Sequence, residues 1–287
     1  MEKDSFGILI LAFGDRGYHY AAYNLCLSIK HKNPNLKVAI FCDNNNHVDY
    51  KQCRADIIKV CDYFGAEPGL NKINALSDLP FTNTLYLDAD GFCMKDLRPL
   101  IDDLLKQNRF FMCDIFGSGN FGEEISYDLW AKHEDSFDFF GVKKEDKWHT
   151  TQTSWIFCRA GKDMREFIKQ VKHYWAKGFP KAKLKGKWGR FMPDELFFSG
   201  VISKNKIDAS YSGKPIFYGN RYIENFGEIT QNHYIMSLYG NGNGQRLTKL
   251  MYWEYYDRLM SAMCKEMGLT HIYKGHYLAS AKITNVV

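Results

Sequence analysis

Two carboxylates one residue apart, Asp88 and Asp90, are the side chains of this sequence best suited to chemistry. They follow the apolar run Leu85-Tyr86-Leu87 and precede Gly91, a pattern that predicts a buried strand ending in a loop. Open α/β sheets bind ligands at the carboxyl ends of their strands. Two such carboxylates repel each other, and a Mg²⁺ or Mn²⁺ ion would relieve the repulsion and hold the phosphates of a nucleotide. An ordinary turn is the alternative, since Asp and Gly are common turn residues.

Composition indicates one large globular domain, or one domain with extensions. The 287 residues are 45% apolar and 16% aromatic, which is enough to bury a substantial core. The eight cysteines form no C-x-x-C pair and several lie in apolar runs, which favours free thiols in a reducing compartment. The sequence shows no signal-peptide pattern and no apolar stretch as long as a membrane span. We therefore expect a cytoplasmic protein without a transmembrane segment.

Positive charge is concentrated in one region. The net charge is +5, and residues 167–193 hold eight Lys or Arg and no Asp or Glu, against 30 basic and 33 acidic residues elsewhere. Such a stretch favours a polyanionic partner, with DNA and an anionic glycan or lipid surface both open, although a solvated loop has the same composition. The basic residues of its loop, between which aromatic residues lie, are Lys177, Lys181, Lys183, Lys185, Lys187 and Arg190.

The elements that must position these residues alternate between strand and helix. Before the carboxylates the pattern predicts strands over 6–12, 37–42, 55–60 and 84–88, with helices over 18–30 and 71–79. After them it predicts a helix from Pro99, strands over 109–115 and 153–158, a helix over 164–175 and a helix from Pro193. Residues 117–120 and 177–192 are predicted loops, and 123–148 short helices and loops. A last helix is expected from about residue 246.

Three stretches together resemble the GT-A glycosyltransferases, particularly the glycogenin-like group. They are Asn71-Lys72-Ile73-Asn74-Ala75-Leu76, the run Leu85 to Gly91 and Leu97-Arg98-Pro99-Leu100. The resemblance implies an α/β, Rossmann-like GT-A fold, with a mixed, mainly parallel sheet flanked by helices and a helical C-terminal extension over 246–287. The catalytic domain would span 1–245, with a nucleotide-sugar half (1–115) and an acceptor half (116–245).

The resemblance also implies a donor site. Asp88, Asp90 and His233 become ligands of Mn²⁺, or of Mg²⁺, which bridges the diphosphate of a nucleotide-sugar; an imidazole ligand favours Mn²⁺. The family's lysine-proline-tryptophan is absent after His233, and a glycine loop from Gly240 stands there instead. The other positions implied to bind the donor are Ala12, Phe13, Gly14, Asp43, Lys72, Ala89 and Gly240. For Asp43 a plain turn, and for Lys72 a solvated helix lysine, are the alternatives.

The implied catalytic residues lie in the second half. Asp194 and Glu195 match the acidic pair that contacts sugar and acceptor, and Gln152 falls where the family often has asparagine. The resemblance favours retention of configuration; an inverting enzyme would need Asp194 or Glu195 as a general base.

The sequence thus predicts a metal-dependent hexosyl- or pentosyltransferase that uses a nucleotide-sugar, most simply a UDP-sugar, and a hydroxyl of a large anionic acceptor. Hydroxymethylated DNA bases, as in phage DNA modification, and a lipid-linked or surface glycan are both open as acceptors. Two alternatives remain. A haloacid-dehalogenase-type phosphatase also uses Asp-x-Asp, but on its first strand and with Thr where Phe92 stands here. A non-catalytic nucleotide-sugar-binding protein would share the fold.

Overall fold

The structure, a computed structural model, describes residues 5–14, 16–43, 48–62, 64–65, 67–123, 130–185, 192–218 and 231–237. The described strands are β1 (Phe6–Ala12), β2 (Lys37–Cys42), β3 (Ile57–Val60), β4 (Asn83–Leu87), β5 (Gly91–Cys93), β6 (Phe111–Gly119), β7 (Trp148–Arg159), β8 (Ile216–Tyr218) and β9 (Ile235–Ser237). The described α-helices are α1 (Arg16–Lys32), α2 (Pro68–Leu76), α3 (Arg98–Lys106), α4 (His133–Phe140), α5 (Lys162–Lys177) and α6 (Asp194–Asn205). A short 3₁₀ helix spans Lys181–Lys183.

Two compact units make up the chain, and both are discontinuous in sequence. We call them after a residue of the candidate site. The Lys72 unit comprises residues 1–5, 64–86 and 108–212, and the Asp88 unit comprises residues 6–63, 87–107 and 213–287. The end of β4 falls on the boundary, because Leu87 belongs to the Asp88 unit.

In the Asp88 unit, β3, β2 and β1 are neighbours in that order and run parallel. The register pairs Ala12 with Cys42, so β1 and β2 end at the same edge of the sheet. Helix α1 packs against β1, β2 and β5 and covers an apolar strand in which Ile8, Leu9 and Ile10 are fully buried. This is the βαβ unit that the alternation of apolar and turn residues predicts.

A second, three-stranded sheet of the same unit follows the two carboxylates. Its strand order is β5-β9-β8, with β5 antiparallel to β9 and β8 parallel to β9. Strand β9 therefore carries residues from far along the chain to the strand that begins directly after Asp90.

In the Lys72 unit, β4, β7 and β6 are neighbours in that order, and β6 and β7 are antiparallel. The expected loop over 117–120 is wrong: β6 continues to Gly119, which pairs with Trp148. The register shifts twice along the pair, and at the first shift Cys113 pairs with Ile156 while Asp114 pairs with Gln152. These irregularities let a glycine-containing segment stay in the ladder, which the sequence pattern alone did not indicate.

Helices α4, α5 and α6 of the Lys72 unit bury aromatic side chains. Six residues of α5 and eight of α6 are buried, and α6 packs against β7, α5 and α4. The packing against Phe140 is tight at Gly200, where an added Cβ would lie 2.3 Å from the ring. Helix α4 ends at Gly141, whose φ of 67° lies in the left-handed region.

The prediction of an α/β fold with a mixed, mainly parallel sheet flanked by helices is confirmed. The expected C-terminal helix and extension, 246–287, lie outside the described residues. Within the described ranges, no helix has the length and apolarity to cross a membrane.

Candidate functional site

Asp88 and Asp90 lie on the turn between β4 and β5. Strand β4 is buried throughout, and the chain leaves it at Asp88. The Gly91 amide donates to the carbonyl of Asp88 at 3.3 Å, which closes the turn, while Ala89 is buried beneath it. Both carboxylates are half-buried. The apolar strand therefore delivers two acidic side chains to the surface at one point, as the sequence predicts.

Gly91 is held closely on two sides. A Cβ at this position would lie 3.2 Å from Ile235 Cγ2 of β9 and 3.5 Å from Leu25 Cδ1 of α1. A side chain at this position would press against Ile235 of β9, whereas Leu25 would be in ordinary van der Waals contact with it. The glycine thus fixes where the turn with the two aspartates lies within the Asp88 unit.

Strand β9 brings Ser237, and not His233, to this turn. The register pairs Gly91 with Ser237 and Cys93 with Ile235, and the Met94 amide donates to the Tyr234 carbonyl. His233 thus lies beyond the far end of β5, roughly 10 Å or more along the strand direction from Gly91. Its Nδ1 lies 2.8 Å from the carbonyl of Lys214. The expected grouping of His233 with the two aspartates is not found, because antiparallel pairing reverses the direction of β9.

The donor set at the turn fits a hard divalent cation. Carboxylate oxygens are preferred ligands of Mg²⁺ and Mn²⁺, and such ions commonly keep water and phosphate as their other ligands. Among the described residues, no group of three or more His, Cys, Asp and Glu side chains is placed to hold a metal ion. Asp88 and Asp90 are the two carboxylates of this turn that could supply oxygen ligands to such an ion.

The ends of β1 and β2 are joined through Asp43. Its Oδ2 accepts a hydrogen bond from the Gly14 amide at 2.6 Å, and its Oδ1 lies 3.2 Å from His19 Nε2. His19 is fully buried, and its Nδ1 lies 2.6 Å from the hydroxyl of Tyr50. Gly14 has a φ of 82°, a conformation that few other residues adopt.

Asp43 is therefore not simply a turn residue, because its side chain holds the loop after β1 in place. Ala12, Phe13 and Gly14 lie on this loop, with Ala12 fully buried and Phe13 half-buried. Sequence reasoning missed His19 and Tyr50. A lone histidine within a helical pattern carries no signal that it will meet a carboxylate 24 residues later.

Lys72, Thr153 and Asp194 form a closed cluster in the Lys72 unit. Lys72 Nζ lies 3.0 Å from Asp194 Oδ2 and donates to Thr153 Oγ1 at 3.0 Å, while Thr153 Oγ1 donates to Asp194 Oδ2 at 2.9 Å. The lysine and aspartate side chains are 12% and 14% exposed. Lys72 Nζ also lies 5.2 Å from the centre of the Tyr86 ring. Lys72 is therefore not the solvated helix lysine that the sequence left as an alternative.

Three elements meet at this cluster. Thr153 lies at the register shift of β7, Asp194 begins α6, and Lys72 is in α2. Helix α2 approaches through Gly69, where a Cβ would lie 2.7 Å from the Trp175 ring and 3.1 Å from Asp194 Cβ. Irregular strand pairing is common next to active sites, and here it frees the Thr153 carbonyl to accept from Lys72 at 3.2 Å.

Gln152 and Glu195 lie beside this cluster. The half-buried Glu195 follows Asp194, and its carbonyl accepts from Thr151 Oγ1 at 3.1 Å. Gln152 pairs with Asp114 across the ladder and donates to Ser154 Oγ at 2.8 Å. The contacts of β7 with the start of α6 come from Thr151 and Thr153, the two neighbours of Gln152.

Part of the basic loop is tied to α4. Lys183 Nζ lies 2.6 Å from Asp135 Oδ1, and this contact raises the pKa of Lys183. Lys177 Nζ lies over the Phe139 ring, 4.9 Å from its centre, and the Lys185 amide donates to the Trp130 carbonyl. Lys181 is exposed. Lys187, Arg190 and Gly240 lie outside the described residues.

No protein-family model matches the sequence, and no curated protein sequence is similar to it. Solved glycosyltransferase structures, however, are similar in fold. The galactosyltransferase LgtC, in complex with donor and acceptor sugar analogues, has a TM-score of 0.53 at 14% identity, over 93% of this chain and 98% of LgtC. The bifunctional glycosyltransferase WbbM has a TM-score of 0.57 at 12% identity, over 96% of this chain and 52% of WbbM.

GlyE of Streptococcus pneumoniae TIGR4, another glycosyltransferase, has a TM-score of 0.54 at 12% identity, over 92% of this chain and 63% of GlyE. The chain thus spans nearly the whole of LgtC, but about half of WbbM and under two thirds of GlyE. These likenesses show that the chain has the GT-A fold.

Proposed function

We propose that this protein is a glycosyltransferase that moves a sugar from a nucleotide-diphosphate donor, a UDP-sugar in the simplest case, to an acceptor hydroxyl. The observation that carries the proposal is the turn after β4, where Asp88 and Asp90 leave a buried strand of a GT-A fold. The structure of LgtC, which shares the fold, contains donor and acceptor sugar analogues.

Asp88 and Asp90 would hold a divalent cation, Mn²⁺ or Mg²⁺, whose chemistry is to neutralise the charge of the donor diphosphate. The loop after β1, which Asp43 fixes, is proposed to bind the base and ribose through Ala12, Phe13 and Gly14. Gly240, by sequence alone, and Ala89 complete the proposed donor-binding residues.

The cluster of Lys72, Thr153 and Asp194 is proposed to face the transferred sugar. Asp194 is held in one orientation by two partners, so it can accept from sugar hydroxyls without reorganising. Glu195 and Gln152 are the neighbouring polar groups proposed for catalysis. An active-site glutamine-to-glutamate mutant of LgtC has been solved, with a TM-score of 0.50 at 11% identity, over 93% of this chain and 98% of LgtC. We propose that Gln152 and Glu195 contact the transferred sugar, and that the transfer retains configuration.

The proposal is tested by the response of the protein to UDP and Mn²⁺ together. We expect the pair to raise the melting temperature more than either alone, and Asp90→Asn to lose both this shift and the release of UDP from a UDP-sugar. Asp102→Asn, an exposed carboxylate on α3 of the same unit, is the matched control and should behave as wild type. An Asp90→Asn protein that keeps both properties would exclude Asp90 as an essential metal ligand of a transferase. A wild-type protein that shows the thermal shift but releases no UDP from any nucleotide-sugar would favour a non-catalytic binding protein.

A panel of nucleotide-sugars against glycans and hydroxymethylated duplex DNA would identify donor and acceptor. For the acceptor, Lys181 and Lys185 of the basic loop are the residues to replace with Gln. If the acceptor is DNA, their loss should reduce the salt dependence of binding, because each phosphate contact releases counterions. An unchanged slope would favour the glycan. A phosphatase would instead release inorganic phosphate from phosphomonoesters. The carboxylates follow the fourth strand of the chain, whereas such phosphatases carry them on the first strand.

A further inference from the structure

A cavity of about 420 Å³ lies in the Lys72 unit, away from the residues discussed so far. Its wall is formed by β6, the start of β7, the residues just before β7 and the segment that follows α6. This volume is within the range of small-ligand sites in proteins. The segment after α6 is held in place by backbone contacts, since the Cys113 amide donates to the Ala209 carbonyl at 3.0 Å.

Charged groups of both signs converge on the cavity. The ionisable side chains that line it are Glu145, Asp146, Lys147, His149, Lys206 and Asp208. Asp146 and Lys206 already neutralise each other, with 2.7 Å between Oδ1 and Nζ. Three carboxylates against two ammonium groups give a wall with little net charge, so neither a polyanion nor a polycation is matched to it.

His149 adds a neutral group. Burial lowers its pKa, Lys147 lowers it further, and Asp208 opposes the change, so the imidazole is uncharged near neutral pH. Its Nδ1 lies 2.7 Å from Ser118 Oγ, and its amide donates to Ser203 Oγ at 2.8 Å. The ring is thus positioned by its neighbours rather than free to turn.

Lys206 is in a conformation that its residue type disfavours. Its φ of 53° places it in the left-handed region at the end of α6, where glycine is usual. Residues in this conformation are found more often at ligand sites, and here the ammonium group contacts Asp146 at the cavity wall.

We propose that this cavity binds a neutral saccharide, as a subsite for an acceptor sugar. Sugar hydroxyls both donate and accept, which suits a wall of carboxylates, ammonium groups and a neutral imidazole, and Ile115 and Ile207 offer apolar surface to a ring face. The choice of ligand class rests on the proposed function.

The place of the cavity along α6 supports a subsite. Helix α6 has Asp194 at one end and Lys206 just past the other, about 18 Å apart at the helical rise. Ser203 contacts His149 and the Glu195 carbonyl contacts Thr151, so α6 and β7 run side by side in opposite directions from the cluster to the cavity. A saccharide in the cavity would therefore hold a part of the acceptor remote from the sugar at Asp194.

The test uses the whole protein without nucleotide or cation. Lactose, maltose and N,N′-diacetylchitobiose are titrated while the ring signals of His149 are followed by NMR. We expect at least one of them to shift these signals, and Ser210→Trp, at the cavity rim, to abolish the shift. Lys206→Gly should weaken binding about tenfold although it relieves the backbone. Arg54→Gly is the matched control, because Arg54 has a φ of 63° but does not line the cavity.

The outcomes separate the two proposals. If none of the three sugars shifts the His149 signals, or if Ser210→Trp still binds as wild type, the saccharide subsite is wrong. Sugar binding at His149 in a protein that binds no UDP with Mn²⁺ would keep the subsite and overturn the transferase. A protein that binds UDP with Mn²⁺ but shows no sugar binding at His149 would keep the proposed transferase and overturn the saccharide subsite.

Discussion

Lys72 Nζ lies 3.0 Å from Asp194 Oδ2, and the hydroxyl of Thr153 contacts both groups. Each of the three comes from a different element, so the cluster joins α2, β7 and α6 within one unit. A partly buried ion pair of this kind adds little net stability, but removal of one partner leaves the other charge unpaired. The ion pair therefore matters mainly because it fixes the orientation of the Asp194 carboxylate, as binding to a sugar requires.

We expect Lys72→Met to lower the free energy of unfolding by about 2 kcal/mol, because Asp194, half-buried, then loses its ion pair and keeps its hydrogen bond from Thr153. The double variant Lys72→Met with Asp194→Leu should cost less than the sum of the two single changes. Urea unfolding of the four proteins measures the coupling. Strict additivity would mean that the two side chains do not interact in solution.

A second expectation concerns the third metal ligand. The register of β5 and β9 puts Ser237 opposite Gly91 and leaves His233 beyond the far end of β5. His233→Gln should therefore keep the full stabilisation by Mn²⁺ and UDP, whereas Asp90→Asn loses it. Differential scanning fluorimetry of both variants decides this. A His233→Gln protein as insensitive as Asp90→Asn would restore the histidine as a ligand.

The contrast between Asp90 and His233 shows what the sequence could predict. The apolar strand before Asp90 and the polar residues after it are neighbours in sequence. This local pattern is enough to predict that Asp90 lies at the carboxyl end of a strand. The position of His233 depends on which residues of β9 pair with β5, and a shift of that register moves a side chain by several ångströms. Nothing in the residues around 231–237 specifies the register.

Polar contacts between residues far apart in the chain could not be predicted from the sequence, because they too depend on tertiary packing. Asp43 was found as a strand-end carboxylate, but its partner His19 lies in α1 and Tyr50 follows β2. The break in pairing at Thr153 depends on β6, whose glycines suggested a loop. The local sequence pattern therefore predicts the strands, the helices and the strand-end carboxylates. The side chains that these carboxylates contact are determined by tertiary packing, which the pattern does not reveal.

Gly200 provides a test of the packing that holds α6. We expect Gly200→Ala to destabilise the protein by about 2 kcal/mol or more, because the added methyl group would lie 2.3 Å from the Phe140 ring. Gly161→Ala is the matched control: nothing lies within 4 Å of its Cβ, and its backbone is extended. Thermal unfolding of both should show a large difference. Equal melting temperatures would contradict the close approach of α4 and α6.

The pH dependence of stability should report on His149. Burial holds the pKa of this imidazole below its ordinary value, so the unfolded chain binds a proton more readily than the folded protein. Stability is therefore expected to fall as the pH drops below about 6.5, the ordinary histidine pKa. After burial, Lys147 lowers the pKa of the imidazole further and Asp208 raises it, while Ser118 Oγ lies 2.7 Å from its Nδ1. His149→Gln should flatten the decline between about pH 7 and 5, measured by urea unfolding at each pH.

His173→Gln is the control, since it removes an exposed imidazole on α5 and leaves the cavity unchanged. It should show the same decline as wild type. A saccharide that binds beside His149 should make the decline of wild type steeper or shallower but leave that of His149→Gln unaffected, which links the titration to the cavity. If wild type and His149→Gln lose stability in parallel as the pH falls, the imidazole is as accessible to protons in the folded protein as in the unfolded chain.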